Sequence, residues 1–196
     1  MSIYYAGIGS RETPQEVLEA FEYIGEELAK RGYILRSGGA NGADSAFEKG
    51  CNNVNGEKEI YLPWKGFNNN NSPLYVYSNG VEAMDIAKKY HPNFQILKPA
   101  AKSLMARNSY QVLGFDLKTP SSFVVCYTKG GKREGGTGQA LRIASDNGIM
   151  ICDFGRWDKE MEHPFERSEK EKAMDIAKRL VQKVEIMFPF NMEIER

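Results

Sequence analysis

Three short clusters rich in glycine and in hydroxyl or amide side chains are the positions in this chain best suited to chemistry. They are Gly7-Ile8-Gly9-Ser10-Arg11, Ser37-Gly38-Gly39-Ala40-Asn41-Gly42-Ala43-Asp44 and Gly135-Gly136-Thr137-Gly138. Glycine lets an anion approach the backbone without a Cβ in the way, and a helix N-terminus adds unpaired N–H groups and a partial positive charge. Turns of this kind between a strand and a helix suit phosphate, and several on one rim would make a nucleotide site. In the first cluster, Gly9 brings the backbone close while Ser10 and Arg11 supply a hydroxyl and a guanidinium; the alternative use of Arg11 is a pair with Glu12 or Glu16. The third glycine of the dinucleotide fingerprint is absent here, with Glu12 in its place.

In the second cluster Ser37 and Asn41 offer side-chain hydrogen bonds, and Gly38, Gly39 and Gly42 leave the backbone accessible. Asp44 either accepts from ribose hydroxyls or caps the following helix. Glu48 lies one helical turn further on and could share the face of Asp44, which gives either a paired-carboxylate acid–base arrangement or a solvated acid. In the third cluster Gly135, Gly136 and Gly138 surround Thr137, which caps a helix, bonds a phosphate, or does both; Lys129, Lys132 and Arg133 stand just before it. Arg107 and Asn108, in Met105-Ala106-Arg107-Asn108, are candidate phosphate or ribose contacts, the plain alternative for Arg107 being a surface arginine. Trp64 and Phe67 either stack on a base or anchor a lid.

The elements that must hold these clusters follow from periodicity. Residues 3–8 form a short β-prone run, after which Thr13-Pro14-Gln15-Glu16 combines an N-cap, proline at the first helical position and a capping-box glutamate. Val17, Phe21, Ile24 and Leu28 mark one apolar helix face, with Gly32 as the stop. Strands are expected at 33–36, 59–62, 122–127 and 149–152, and helices at 44–49 before Gly50, 81–90, 100–113 and 138–147 before Gly148. Residues 63–80, with Asn68 to Asn71 in succession, read as a long loop able to cover or line a site. Glu82-Ala83-Met84-Asp85-Ile86-Ala87-Lys88 returns almost unchanged as Lys172-Ala173-Met174-Asp175-Ile176-Ala177-Lys178 without matching flanks, so these are two similar amphipathic helices and not a repeat. Alternating strands and helices imply an α/β fold, a Rossmann-like three-layer sandwich with a mainly parallel sheet whose ligands bind beyond the strand C-termini.

Composition narrows the class further. A chain of 196 residues, 41% apolar and 27% charged, fits a single domain spanning 1–196, with the apolar segment 184–196 docked on the body or on a second subunit. The 26 basic residues balance the 26 acidic ones, so no global field favours nucleic acid or membrane. Cys51, Cys126 and Cys152 are odd in number and lack metal spacing, and Cys126 and Cys152, in apolar strand-like runs, read as buried thiols, which fits a reducing compartment; His91 and His163 offer no metal site. No metal or cofactor is expected. With neither a membrane span nor a signal peptide, the expected location is the cytoplasm.

Together, Gly9-Ser10-Arg11, the 37–44 cluster and Gly135-Gly136-Thr137-Gly138 resemble the nucleotide-binding superfamily shared by the DNA-processing protein A and Lonely Guy families, over about residues 4–152. The Leu-Pro-Trp-Lys-Gly-Phe-Asn loop at 62–68 is most similar to small stand-alone, often phage-encoded members, for which the location would be the host cytoplasm. The resemblance implies that a nucleotide or nucleotide-derived signalling molecule binds on the three turns, and it favours a homo-oligomer. It also implies two alternatives: a phosphoribohydrolase cleaving a nucleoside monophosphate or an ADP-ribose-like ligand, and a single-stranded DNA-binding protein, the neutral charge ranking nucleic acid second. Arg107 matches the hydrolases' arginine, but their glutamate is absent, since Leu141 and Arg142 occupy its place. Asp44, Glu48 or Glu134 would then have to substitute as the acid.

Overall fold

The short apolar runs form β1 (Tyr4–Gly7), β2 (Ile34–Ser37), β3 (Lys58–Ile60), β4 (Phe123–Cys126) and β5 (Met150–Asp153), paired in parallel in the order β3-β2-β1-β4-β5. The computed structural model describes residues 2–76, 80–157 and 168–189. All four residues of β4 are buried, as expected of a parallel strand covered on both faces. Successive side chains part to opposite layers: Tyr5, Phe123 and Val125 join one core, Ala6, Val124 and Cys126 the other.

On the first face lie α1 (Gln15–Lys30), α2 (Ala43–Asn53) and α7 (Glu169–Met187); on the second lie α3 (Val81–Tyr90), α4 (Pro99–Leu113) and α5 (Gly135–Asp146). A four-residue helix, α6 (Phe154–Trp157), follows β5. This is the three-layer α/β sandwich expected, and every strand pair in it is parallel. Val17, Phe21, Ile24 and Leu28 of α1 are buried, and Phe21 stacks on Phe47 of α2 with ring centroids 4.3 Å apart.

Several local expectations are corrected. Pro14, not Thr13, is the N-cap of α1 and no side chain caps that helix; the Thr13 hydroxyl donates to the Ser10 carbonyl inside the first glycine turn. Gly50 does not end α2 but sits within it, where a Cβ would lie 1.9 Å from the Glu22 carbonyl oxygen of α1. Helix α5 begins at Gly135, so the third glycine cluster is the helix's own first turn. Of the C-terminal segment, Phe188 packs on the core beside Phe123 and its carbonyl accepts from Tyr33, whereas Ile186 and Met187 are exposed; residues 190–196 lie outside the described residues. Cys126 and Cys152 are buried free thiols, as expected, and Cys51 is one as well.

Candidate functional site

The chain leaves β1 for β2 and β3 on one side and returns to place β4 on the other, so connections diverge at the C-terminal ends of β1 and β4. Such a topological switch point opens a crevice by construction. A cleft of about 850 Å³ lies there, lined by Ile8 and Gly9 after β1 and by Tyr127 and Thr128 after β4.

The first two glycine clusters are built as one unit. The Ser10 carbonyl accepts from Thr13 and from the Ala43 N–H, and the Ser10 hydroxyl accepts from the Glu12 N–H. Gly42 has φ +88° and a Cβ there would lie 2.7 Å from the Ser10 carbonyl oxygen, so the close approach of the two turns depends on glycine. Asp44 fastens the unit: its Oδ2 accepts from the Ala40 N–H at 3.3 Å and from Arg107 Nη1 at 2.9 Å, and the Gly9 N–H also bonds the carboxyl. The Asp44 and Arg107 side chains are only 4% and 7% exposed, making this a buried ion pair on the cleft floor. Burial pushes the Asp44 carboxyl above the ordinary aspartate range, against the opposing pull of Arg107 and the two backbone donors. The guanidinium occupies the space a side chain at Gly38 would need, with Nη1 1.0 Å from the position of a Cβ.

The third cluster forms the facing wall. Asn108 Nδ2 donates to the Gly136 carbonyl at 3.1 Å and to Gln139 Oε1 at 3.0 Å, tying α4 to the first turn of α5. Gly138 lets the incoming chain fold back, since a Cβ would lie 2.2 Å from the Arg133 carbonyl carbon. The intervening loop is anchored at its root by Asp153, which accepts from the Thr128 N–H and hydroxyl and from the Gly155 N–H. Lys129, Lys132, Arg11, Glu12, Glu134 and Gly135 surround the cleft, and among the described residues none of these charged groups has an ion-pair partner.

Gly9, Ser10, Arg11, Asp44, Arg107, Asn108, Gly135, Gly136 and Thr137 therefore border one cleft, together with Ala40. The remaining candidates point elsewhere. Ser37 donates to the Gly7 carbonyl inside the fold, Gly38 gives way to Arg107, and Gly138 is buried in α5. Gly39 faces Leu62 and Asn70, and Asn41 accepts from Asn68 of the asparagine-rich loop. Glu48 accepts from Asn70 in that same loop and is not part of the cleft lining, so Asp44 and Glu48 do not act as a carboxylate pair across one space. Trp64 packs edge-on against Phe67 and is likewise outside the lining. Arg133 bonds Ser145, Leu141 is core, and Arg142 donates to the Tyr90 and Arg133 carbonyls. Sequence reasoning missed Gln111, Leu104 and Thr128; the i to i+4 spacing from Arg107 was the available signal for Gln111.

Fold and cleft define a Rossmann-like α/β protein whose crevice is lined by glycine turns at helix N-termini. No family model matches the chain, and neither does any curated protein. Solved structures do. DNA processing protein A from Helicobacter pylori, which binds single-stranded DNA, is similar over 93% of this chain and 80% of that one, with 14% identity and a TM-score of 0.57. DNA processing protein A from Streptococcus pneumoniae aligns over 97% of this chain with 15% identity and a TM-score of 0.54, the chain spanning 63% of that protein's length. The Moco carrier protein of Chlamydomonas aligns over 93% of this chain and 99% of that one, with 13% identity and a TM-score of 0.52. The chain shares the fold of these proteins, and the resemblance to the DNA-processing superfamily read from the glycine clusters agrees with that fold. Among the described residues no helix is long and apolar enough to cross a membrane.

Proposed function

We propose that the cleft binds a nucleotide-derived small molecule, with its phosphate against the first turn of α5 and the Lys129 to Lys132 loop. One observation carries this reading: a glycine-rich helix N-terminus, three cations without ion-pair partners among the described residues (Arg11, Lys129 and Lys132) and the Ser10 and Thr137 side chains border one cleft at the switch point. Helix dipole, backbone N–H groups and lysine charge then act together on one anion. The neighbours agree in kind, because one binds single-stranded DNA, itself a phosphate polymer.

Binding is favoured over hydrolysis. Arg107 and Asp44 are engaged with each other and Glu48 belongs to the asparagine loop, so of the three candidate acids Glu134 is the one that borders the cleft without an ion-pair partner among the described residues. Calorimetry with a panel of nucleoside mono- and diphosphates, cyclic nucleotides and a single-stranded oligonucleotide tests the reading. Saturable binding of a mononucleotide, weakened by Lys129→Ala/Lys132→Ala, is expected. No heat from any small nucleotide would refute it, and binding of the oligonucleotide alone would transfer the site to nucleic acid. Release of free base from a bound ribonucleotide would restore the hydrolase alternative.

A further inference from the structure

Asparagine is followed by glycine at Asn41-Gly42, Asn55-Gly56, Asn79-Gly80 and Asn147-Gly148, and Asn79 lies outside the described residues. In such a pair the glycine nitrogen can attack the preceding side-chain amide, because no Cβ shields it. Whether it does so in a folded chain depends on what else holds that N–H. Gly56 N–H donates to the Cys51 carbonyl at 2.9 Å, and Gly148 N–H to the Ser145 carbonyl at 3.2 Å. The Asn147 side chain is held as well, its Nδ2 donating to the Ile143 carbonyl at 2.9 Å. Gly42 differs. Its N–H has no acceptor among the described residues, Asn41 is exposed and Gly42 is half-buried. The Asn41 Oδ1 accepts from Asn68 Nδ2 at 2.7 Å, which sets a donor where negative charge develops once the amide carbon is attacked.

We propose that Asn41 is a self-modification site of the folded chain. The Gly42 nitrogen loses its proton to solvent base and bonds the Asn41 side-chain carbon; the amide nitrogen takes up a proton and leaves as ammonia. Water then opens the cyclic imide at either carbonyl. One opening yields aspartate, and the other yields isoaspartate, whose main chain is longer by one methylene. That methylene falls where the first two glycine turns cross. A Cβ on Gly42 would lie 2.7 Å from the Ser10 carbonyl oxygen and 2.8 Å from Arg11 Cα, and the next N–H, of Ala43, donates to the Ser10 carbonyl at 3.4 Å. Isoaspartate at position 41 therefore forces the two turns apart and loosens the cleft wall that carries Ser10 and Arg11, whatever the cleft binds.

The test is peptide mapping by mass spectrometry of the full chain, kept at mildly alkaline pH in water enriched in heavy oxygen, which marks each asparagine converted during the incubation. In the native protein Asn41 should convert about five- to tenfold faster than Asn55 or Asn147, whose glycine N–H must first leave its acceptor, and in denaturant the three rates should converge. Aspartyl and isoaspartyl products should both appear at 41. An Asn41 that stays intact in the native protein while the denatured chain reacts, or equal native rates at the three positions, overturns the proposal. The isoaspartyl form, separated by chromatography, should melt below wild type. Asn41→Asp, which keeps the main chain and can still accept from Asn68, should melt with wild type. An isoaspartyl form as stable as wild type overturns the link to the cleft.

Discussion

Asp44 is the residue on which the geometry of the cleft most depends, and its removal has a calculable consequence. Asp44→Ala leaves Arg107 as a buried cation without its partner and deprives the Ala40 and Gly9 N–H groups of an acceptor. Breaking one side of a buried pair costs about 3–5 kcal/mol, of which the stranded charge is the main part. For a chain of 196 residues each kcal/mol lowers the melting temperature by about 2–4 °C, so a fall of roughly 6–20 °C is expected. Arg107→Met should cost less, because the carboxylate it leaves behind keeps two backbone donors and can take up a proton, burial already having raised its affinity for one. The double variant strands no cation, so the two single costs should exceed the double cost by about 2 kcal/mol. Urea denaturation of the four proteins, with slopes compared to verify two-state unfolding, measures this coupling. Costs that add within about 0.5 kcal/mol would refute the reasoning, since they would mean that the two side chains do not sense each other.

Other expectations follow from different parts of the molecule. Gly50→Ala forces a Cβ into the α1–α2 crossing, 1.9 Å from a backbone oxygen that cannot rotate away; urea denaturation should register a loss of about 1–3 kcal/mol or more. Cys51, Cys126 and Cys152 are buried, and burial pushes all three thiols up, Cys152 to about 11. A thiol reagent at mildly alkaline pH should therefore label none of them in the native protein and all three after unfolding, and rapid native labelling would contradict the packing. Lys129→Ala/Lys132→Ala should leave the melting temperature nearly unchanged, because neither lysine makes an ion pair among the described residues. The same variant should flatten the salt dependence of ligand affinity measured by calorimetry, whereas a large drop in stability would mean that the loop is structural.

Much of the architecture was legible because it rests on local signals. Helix α3 falls at residues 81–90 as its periodicity required, Gly32 and Gly148 adopt the positive φ of helix stops, and each strand lies within two residues of its apolar run. Gly50 misled for a physical reason: a glycine can end a helix or let another helix approach, and only the position of α1 decides between them. The same holds for Thr13, whose hydroxyl donates to the Ser10 carbonyl inside the glycine turn while Pro14 takes the N-cap position.

The sequence by itself determined the parallel α/β class, the strand-to-helix glycine turns and the cations beside the third of them, since these follow from residue type, period and spacing along the chain. Tertiary structure decided which of those residues share a space. Strand order placed β4 beside β1 and so opened the cleft between the first and third turns. Asn68 and Asn70 drew Asn41 and Glu48 to the outer loop, and Arg107 took the room left by Gly38 to reach Asp44. Those contacts join positions tens of residues apart, and the direction of a side chain at one end is fixed by what packs against it at the other, which no local pattern encodes.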